Sequence, residues 1–236
     1  MDAAVTAIPT VGLAIAFIPS AIVIGMMYVW SAGAQTTLYA TVRMLVQLLL
    51  IGYVLVYIFE TDHAAIIIGV LTFMLVVASW IAIRPVRNKQ PHSYFYALAA
   101  ISVGGILTLA LVSQAVISIQ PWFSPRYLVP LAGMIFAGSM NAVSLAAERQ
   151  LSEIERGTSY VEARRIALRA ALIPITNSLF AVGLVALPGM MTGQILSGVS
   201  PLVAAKYQIV VMTMLFGASG ISAALYLVLS KRSLRR

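Results

Sequence analysis

The chain has 236 residues, 61% of them hydrophobic and only 9% charged, with a formal net charge of +8. A soluble domain carries about 25% charged residues, so the expected organisation is one membrane domain in the lipid bilayer, with no appended soluble domain. The absence of cysteine excludes disulfides, thiolate metal sites and Fe–S ligation, and basic residues that flank apolar spans instead of forming a stripe argue against nucleic acid as a partner.

Seven apolar segments follow in chain order, each read against a bilayer core about 30 Å thick. The first, residues 11–30, is long enough to remain as a span and lacks the basic flank of a cleavable signal peptide. The second, residues 44–59, is short, which predicts a start one turn earlier, near Tyr39. Residues 64–83, 97–119, 127–147 and 170–187 come next. A Gly/Pro-punctuated stretch at residues 188–201 precedes the last segment, residues 208–229. The expected fold is all-α: a polytopic membrane helix bundle of about seven transmembrane helices.

Orientation is read from where Lys and Arg fall. With the N-terminus outside, the inner loops receive Arg43, Arg84, Arg87, Lys89, Arg149, Arg156, Arg164, Arg165, Arg169, Lys231, Arg232, Arg235 and Arg236. Only Arg126 and Lys206 remain outside. The expected topology is N-out, C-in, which puts residues 148–169 in the cytoplasm. That stretch holds nine of the 22 charged side chains. Gly157 is expected to interrupt two short helices within it. Glu162 and Arg165 at i, i+3, and Arg165 and Arg169 at i, i+4, share a helix face. One reading is a solvated amphipathic connector. The other is a docking helix lying across the membrane surface, gripped by a groove on another protein.

The catalytic motifs are thin. No Gly-Lys dipeptide occurs, so the GxxxxGK[ST] phosphate loop is absent and nucleotide hydrolysis is not expected in this chain. It is read as a non-enzyme with no cofactor of its own. Gly217-Ala218-Ser219-Gly220 has the GxSG form of intramembrane serine proteases, but a serine nucleophile needs a base within reach. His63 and His92 fall in loops on opposite sides of the membrane. Close packing through Gly217, Gly220 and Ala224 is the expected use of that run. Asp2 and Asp62 lie outside the spans, which disfavours aspartyl chemistry and weakens a proton relay. An ion-coupled secondary carrier working alone, with sodium held by Asn, Ser and carbonyl oxygens, stays open as the alternative function.

The spans carry a few amides: Gln47, Gln114, Asn141 and Asn177, with Gln194 and Gln208 near the outer ends. An unpaired amide is costly in lipid, so these residues either bond between helices or line a permeation path. Arg43 and Gln47 share a face at i, i+4 and are expected at the inner mouth of the second span. In the outer segment Pro188 interrupts a helix, while Gly189 and Gly193 permit close backbone approach. A short re-entrant or surface helix and a structured external turn are both open there. Met190 and Met191 are soft-metal ligand candidates, or gap fillers like other methionines.

Several runs together resemble the FetB family of ABC-type permeases, to which the plant permeases linked to aluminium sensitivity are related. They are Arg43-Met44-Leu45-Val46-Gln47-Leu48, Ile51-Gly52-Tyr53-Val54-Leu55, Met140-Asn141-Ala142-Val143-Ser144-Leu145 and Ala170-Ala171-Leu172-Ile173-Pro174. Gly183-Leu184-Val185, the segment of residues 187–198 and Ala205-Lys206-Tyr207-Gln208-Ile209 are similar too. The resemblance implies a multi-pass permease of the cell membrane that pairs with a separate ATP-binding subunit, where ATP and Mg would bind. It also implies a homodimer of permease chains and, from the bacterial members, export of iron or another metal. Gly157, Glu162, Ala163, Arg165 and Arg169 would then dock the ATPase. Arg43, Gln47, Asn141, Asn177, Gln194 and Gln208 would line the translocation path. Iron sites usually draw on imidazole, carboxylate or thiolate, which the spans essentially lack, so iron would pass through weak oxygen sites made by both protomers or travel as a complex, or the substrate differs.

Overall fold

The computed structural model describes residues 8–61, 63–86 and 91–232. Arg87, Lys89, Arg235 and Arg236, counted above for orientation, lie outside the described residues, as do Asp2 and Asp62. Regular structure among the described residues is helical, with no named strand. Among the described residues six stretches are long and apolar enough to cross a membrane: Thr10–Val29, Ala34–Phe59, Ala64–Ala82, His92–Val116, Pro125–Glu155 and Pro201–Leu229. The chain divides into two compact units, Met1–Glu60 and Thr61–Arg236.

In the first unit, Thr10–Ala16 (α1) and Ile18–Val29 (α2) form one apolar run that breaks at Phe17. Pro19 falls in the first turn of α2, where a missing N–H costs nothing. Gly33, left-handed at φ 78°, turns the chain into Ala34–Phe59 (α3). That helix is 26 residues long, about 39 Å. It begins well before Tyr39, because Gln35, Thr36 and Thr37 lower the hydropathy without breaking the helix. Only Ala34 and Ile58 of α3 are buried. An apolar surface this open is a liability in water and ordinary in lipid.

The second unit contains Ala64–Ala82 (α4), Pro91–Ala110 (α5) with a π-helical continuation over Leu111–Val116, and Pro125–Glu155 (α6). Tyr160–Ala181 (α7), Gly189–Leu196 (α8) and Pro201–Leu229 (α9) complete it, the last running into a short 3₁₀ turn, Ser230–Arg232. Helices α6 and α9 form the centre, with α5 packed on both, α4 on α5 and α6, and α7 against α6 and α9. Small residues set this spacing. Ala142 and Ala146 of α6, Ala167 and Ala171 of α7, and Ala223 and Leu227 of α9 make one buried cluster. At the α5–α9 contact, Gly104 lies directly against the Ser222 hydroxyl. A methyl group on Gly104 would also meet the Ser222 nitrogen at 3.0 Å and the Ala218 oxygen at 3.1 Å.

Three expectations change. The charged stretch and the sixth apolar segment are one helix: α7 runs unbroken from Tyr160 to Ala181. The charged residues are therefore the facing ends of α6 and α7, not short helices lying across a surface. Helix α7 is absent from the six spanning stretches. Its first half carries Glu162, Arg164, Arg165 and Arg169, and it ends at Ala181 because Val182 is extended and Gly183 is left-handed at φ 83°. The contact face expected from Gly217, Gly220 and Ala224 is shifted in register. Nothing lies within 4 Å of a methyl placed on Gly217 and only Leu172, at 4.0 Å, near one on Gly220. Ala218, Ser219, Ser222 and Ala223 are the buried set. Gly189 and Gly193 likewise approach nothing within 4 Å.

Candidate functional site

The charged hairpin is built from two caps placed back to back. Helix α6 ends with Gly157 left-handed at φ 85°. The Gly157 N–H donates to the Ile154 carbonyl at 2.9 Å, and the Thr158 N–H to the Glu153 carbonyl at 3.0 Å. This is the double closure that satisfies a helix's last carbonyls. Two residues later Ser159 caps α7, its hydroxyl accepting from the Glu162 N–H at 3.4 Å. Ser159-Tyr160-Val161-Glu162 is thus a capping-box sequence. The reversal needs only Arg156 to Ser159, so the hairpin is stiff.

A polar latch fastens it to the end of α9. The Tyr160 hydroxyl donates to the Leu227 carbonyl at 2.8 Å, and the Gln150 amide reaches the same oxygen at 3.4 Å. Ser230 donates to Gln150 Oε1 at 2.7 Å. The buried Glu153 carboxylate is met by Arg149 at 2.7 Å, Thr158 at 3.2 Å and Arg156 at 4.0 Å, the partners a buried charge requires. Tyr160→Phe keeps the ring and removes one hydrogen bond, so about 0.5–1.5 kcal/mol should be lost. Thermal unfolding in detergent should show a Tm lower by about 2–4 °C.

The expected docking residues divide. Glu162 and Arg165 pair at 2.7 Å on the outside of the hairpin, with the Arg165 side chain 78% exposed. The hydrogen bond and the charge of Glu162 raise the Arg165 pKa above its ordinary value. Arg169 is exposed and Gly157 sits at the open tip. Ala163 is corrected: it is fully buried. Together with Ala167 and Ala171 it forms the i, i+4, i+8 stripe that faces inward, so no partner can touch it.

The expected path residues also separate. Asn141 lines a cleft of about 280 Å³ with Ser178 of α7, Ser219 of α9 and Pro174, which lies inside α7. Asn177 is exposed on α7 and does not line that cleft. At the end of the unit opposite the hairpin, Gln208 and Met191 line a second cavity of about 320 Å³, where α7, α8 and α9 meet. The side-chain oxygens of Gln208 and of Gln194 on α8 are each buried without a hydrogen-bond partner among the described residues. Met190 lines a separate small pocket with Arg126 and Tyr207. The segment expected on the outer side holds a short helix, α8, starting directly after Pro188 and packed on α9. Arg43 and Gln47 belong to the first unit, one turn apart in the middle of α3. Among the described residues no cluster of three or more His, Cys, Asp or Glu is arranged to hold a metal ion. Cleft and cavity offer amide and hydroxyl oxygens with a thioether beside them.

Sequence reasoning missed the latch. Gln150 and Ser230 are 80 positions apart, and no local pattern joins them. The capping box was legible, since Ser159-x-x-Glu162 before a helix-forming run is its signature.

A family model described as Uncharacterised protein family (UPF0014) matches residues 9–234. The chain is 40% identical to UPF0014 membrane protein slr1647 of Synechocystis sp., over 74% of this chain and 73% of that protein. It is 36% identical to the Probable iron export permease protein FetB of Escherichia coli, over 86% and 79% of the two chains. With Protein ALUMINUM SENSITIVE 3 of Arabidopsis thaliana the identity is 33%, over 79% and 72%. No solved structure matches. Six apolar helices and a family match over nearly the whole chain lead to one conclusion: this is a multi-pass membrane protein that belongs to the UPF0014 family.

Proposed function

We propose that the chain is the membrane-spanning permease subunit of an ABC-type transporter, exporting iron or another metal with energy from a separate ATP-binding subunit. The observation that carries this reading is the hairpin: a stiff, capped, charged turn that presents Glu162, Arg165 and Arg169 outward and is bolted to α9. The sequence lacks the phosphate loop that cradles nucleotide in P-loop ATPases, and a capped outward lever suits a chain driven by a partner that carries one. The similarity to a protein named as an iron export permease supplies the cargo class.

In this reading the chain lies N-out, C-in, in the inner or plasma membrane. The apolar half of α7 enters the bilayer as a seventh helix, and two permease chains pair around the path. Cargo meets Asn141, Ser178 and Ser219 in the central cleft and Gln208 and Gln194 towards α8. Neutral oxygens bind a cation weakly, as an exporter that must release its cargo requires. Asn141→Ala should therefore change the apparent cargo affinity about three- to tenfold while partner binding is unaltered, as measured by transport in vesicles alongside pull-down. The reading itself is tested by co-expressing the chain with a candidate ATP-binding subunit and purifying on the permease. A stoichiometric complex whose ATPase activity rises with metal is expected. A permease that emerges alone, with the ATPase folded and present, would refute it.

A further inference from the structure

On the flank of the hairpin, between α7 and α9, lies a groove of about 400 Å³ that is separate from the Asn141 cleft and shares only Leu227 with the latch. Val161, Arg164, Arg165 and Leu168 stand at i, i+3, i+4 and i+7, one face of α7. Ala224, Leu227 and Val228, at i, i+3 and i+4, supply the facing wall from α9. That wall is entirely apolar, and the groove is open: Val161 is 66% exposed and Val228 52%.

The rim is cationic. The Arg164 guanidinium lies 5.7 Å from the centre of the Tyr160 ring, and the Lys231 ammonium lies 5.2 Å from the same ring. One aromatic ring thus gathers two cations near Arg165, whose ion-pair partner is Glu162. These four side chains carry a net charge of +2. The groove also sits where the apolar run of α9 ends at Leu229 and Ser230-Lys231-Arg232 begins. In a spanning helix that is the level at which hydrocarbon gives way to headgroups.

We propose that this groove binds an anionic phospholipid, with an acyl chain against Leu168, Ala224 and Val228 and the phosphate held by Arg164 and Arg165, with Lys231 nearby. The two halves of the site demand a ligand with the same two halves. A free phosphate satisfies the rim and leaves the wall bare. A zwitterionic lipid covers the wall but brings its own cation to a rim that is already positive. Arginine is the side chain best suited to the phosphate itself, through its forked donors. The inference goes beyond the transporter reading and does not depend on it, because it requires only α7, α9 and a bilayer.

The test uses the full-length chain, stripped of lipid in mild detergent and titrated in native mass spectrometry. The added molecules are phosphatidylglycerol, phosphatidylcholine and glycerol phosphate. Phosphatidylglycerol should be retained about tenfold more tightly than phosphatidylcholine, and glycerol phosphate should not be retained. Arg164→Gln with Lys231→Gln leaves the Glu162–Arg165 pair intact and should bring the two lipids to within about twofold. Ala224→Leu, which fills the apolar wall, should weaken both lipids together. Circular dichroism confirms that each variant is folded. Equal retention of the two lipids by the unaltered chain would overturn the proposal, as would a preference that survives the double substitution. Tight binding of glycerol phosphate would identify a simple anion site instead and equally overturn it. ATPase co-purification with the same double variant is a separate readout, so failure of the lipid site and failure of the docking reading remain distinguishable.

Discussion

Glu162→Lys should uncouple ATP hydrolysis by the partner subunit from transport, lowering cargo-stimulated ATPase activity about tenfold or more, while the chain still inserts and folds. The reason lies in the rim it occupies. Arg164, Arg165 and Arg169 share the first turns of α7 with Glu162, whose carboxylate pairs Arg165 at 2.7 Å. Reversing that charge adds a third cation beside Arg165 and Arg169 on one docking edge, where like charges across an interface cost several kcal/mol. A lysine there also opposes the positive end of the α7 dipole. Glu162→Gln separates the two effects. Glutamine serves equally well at the third position of a capping box, so the hairpin keeps its stability and only the charge is lost; its coupling should fall between those of the parent and Glu162→Lys. Arg165→Glu should match the lysine variant. Normal stimulation in both charge-reversal variants would remove the hairpin from the docking interface.

The second large effect is structural. Gly104→Ala should destabilise the chain by about 1–3 kcal/mol, and Gly104→Leu should prevent recovery of folded protein. The added methyl meets the Ser222 hydroxyl and, at 3.0 and 3.1 Å, the backbone nitrogen of Ser222 and the backbone oxygen of Ala218. A hydroxyl can rotate away; two backbone atoms of a central helix cannot. Gly69→Ala is the matched control, since nothing lies within 4 Å of its added methyl and alanine favours the helix by up to about 1 kcal/mol. Thermal unfolding in detergent should place the two alanine variants on opposite sides of the parent. Coincident melting curves would mean that the α5–α9 contact tolerates wider spacing than its geometry indicates.

What the sequence made legible follows from the solvent. Lipid forces apolar runs of fixed minimum length, so the all-helical class and most of the spans could be read directly. The concentration of charge at residues 148–169 was equally plain. Its shape was not. Arg169 and Ala170 mark a change of composition, and composition suggested a boundary where the backbone has none. Side-chain direction was the other loss. A helix turns about 100° per residue, so Glu162 faces outward while Ala163 is buried. By the same turn Ser178 lines the cleft and Asn177 does not, and Ser219 is buried where Gly217 was expected to pack. Which face is inward depends on neighbours that a single strand of letters does not name. The Gln150–Ser230 bond, formed across 80 positions, belongs to that same class of information.

The central claim is that this chain supplies the passage and another protein the energy. It is tested most directly in liposomes holding the purified permease and loaded with ferrous iron, with and without the candidate ATP-binding subunit. Metal movement should require both proteins and ATP, and should stop when the subunit's nucleotide site is inactivated. Movement against a gradient by the permease alone, driven by sodium or protons, would contradict the account and establish the chain as an independent carrier.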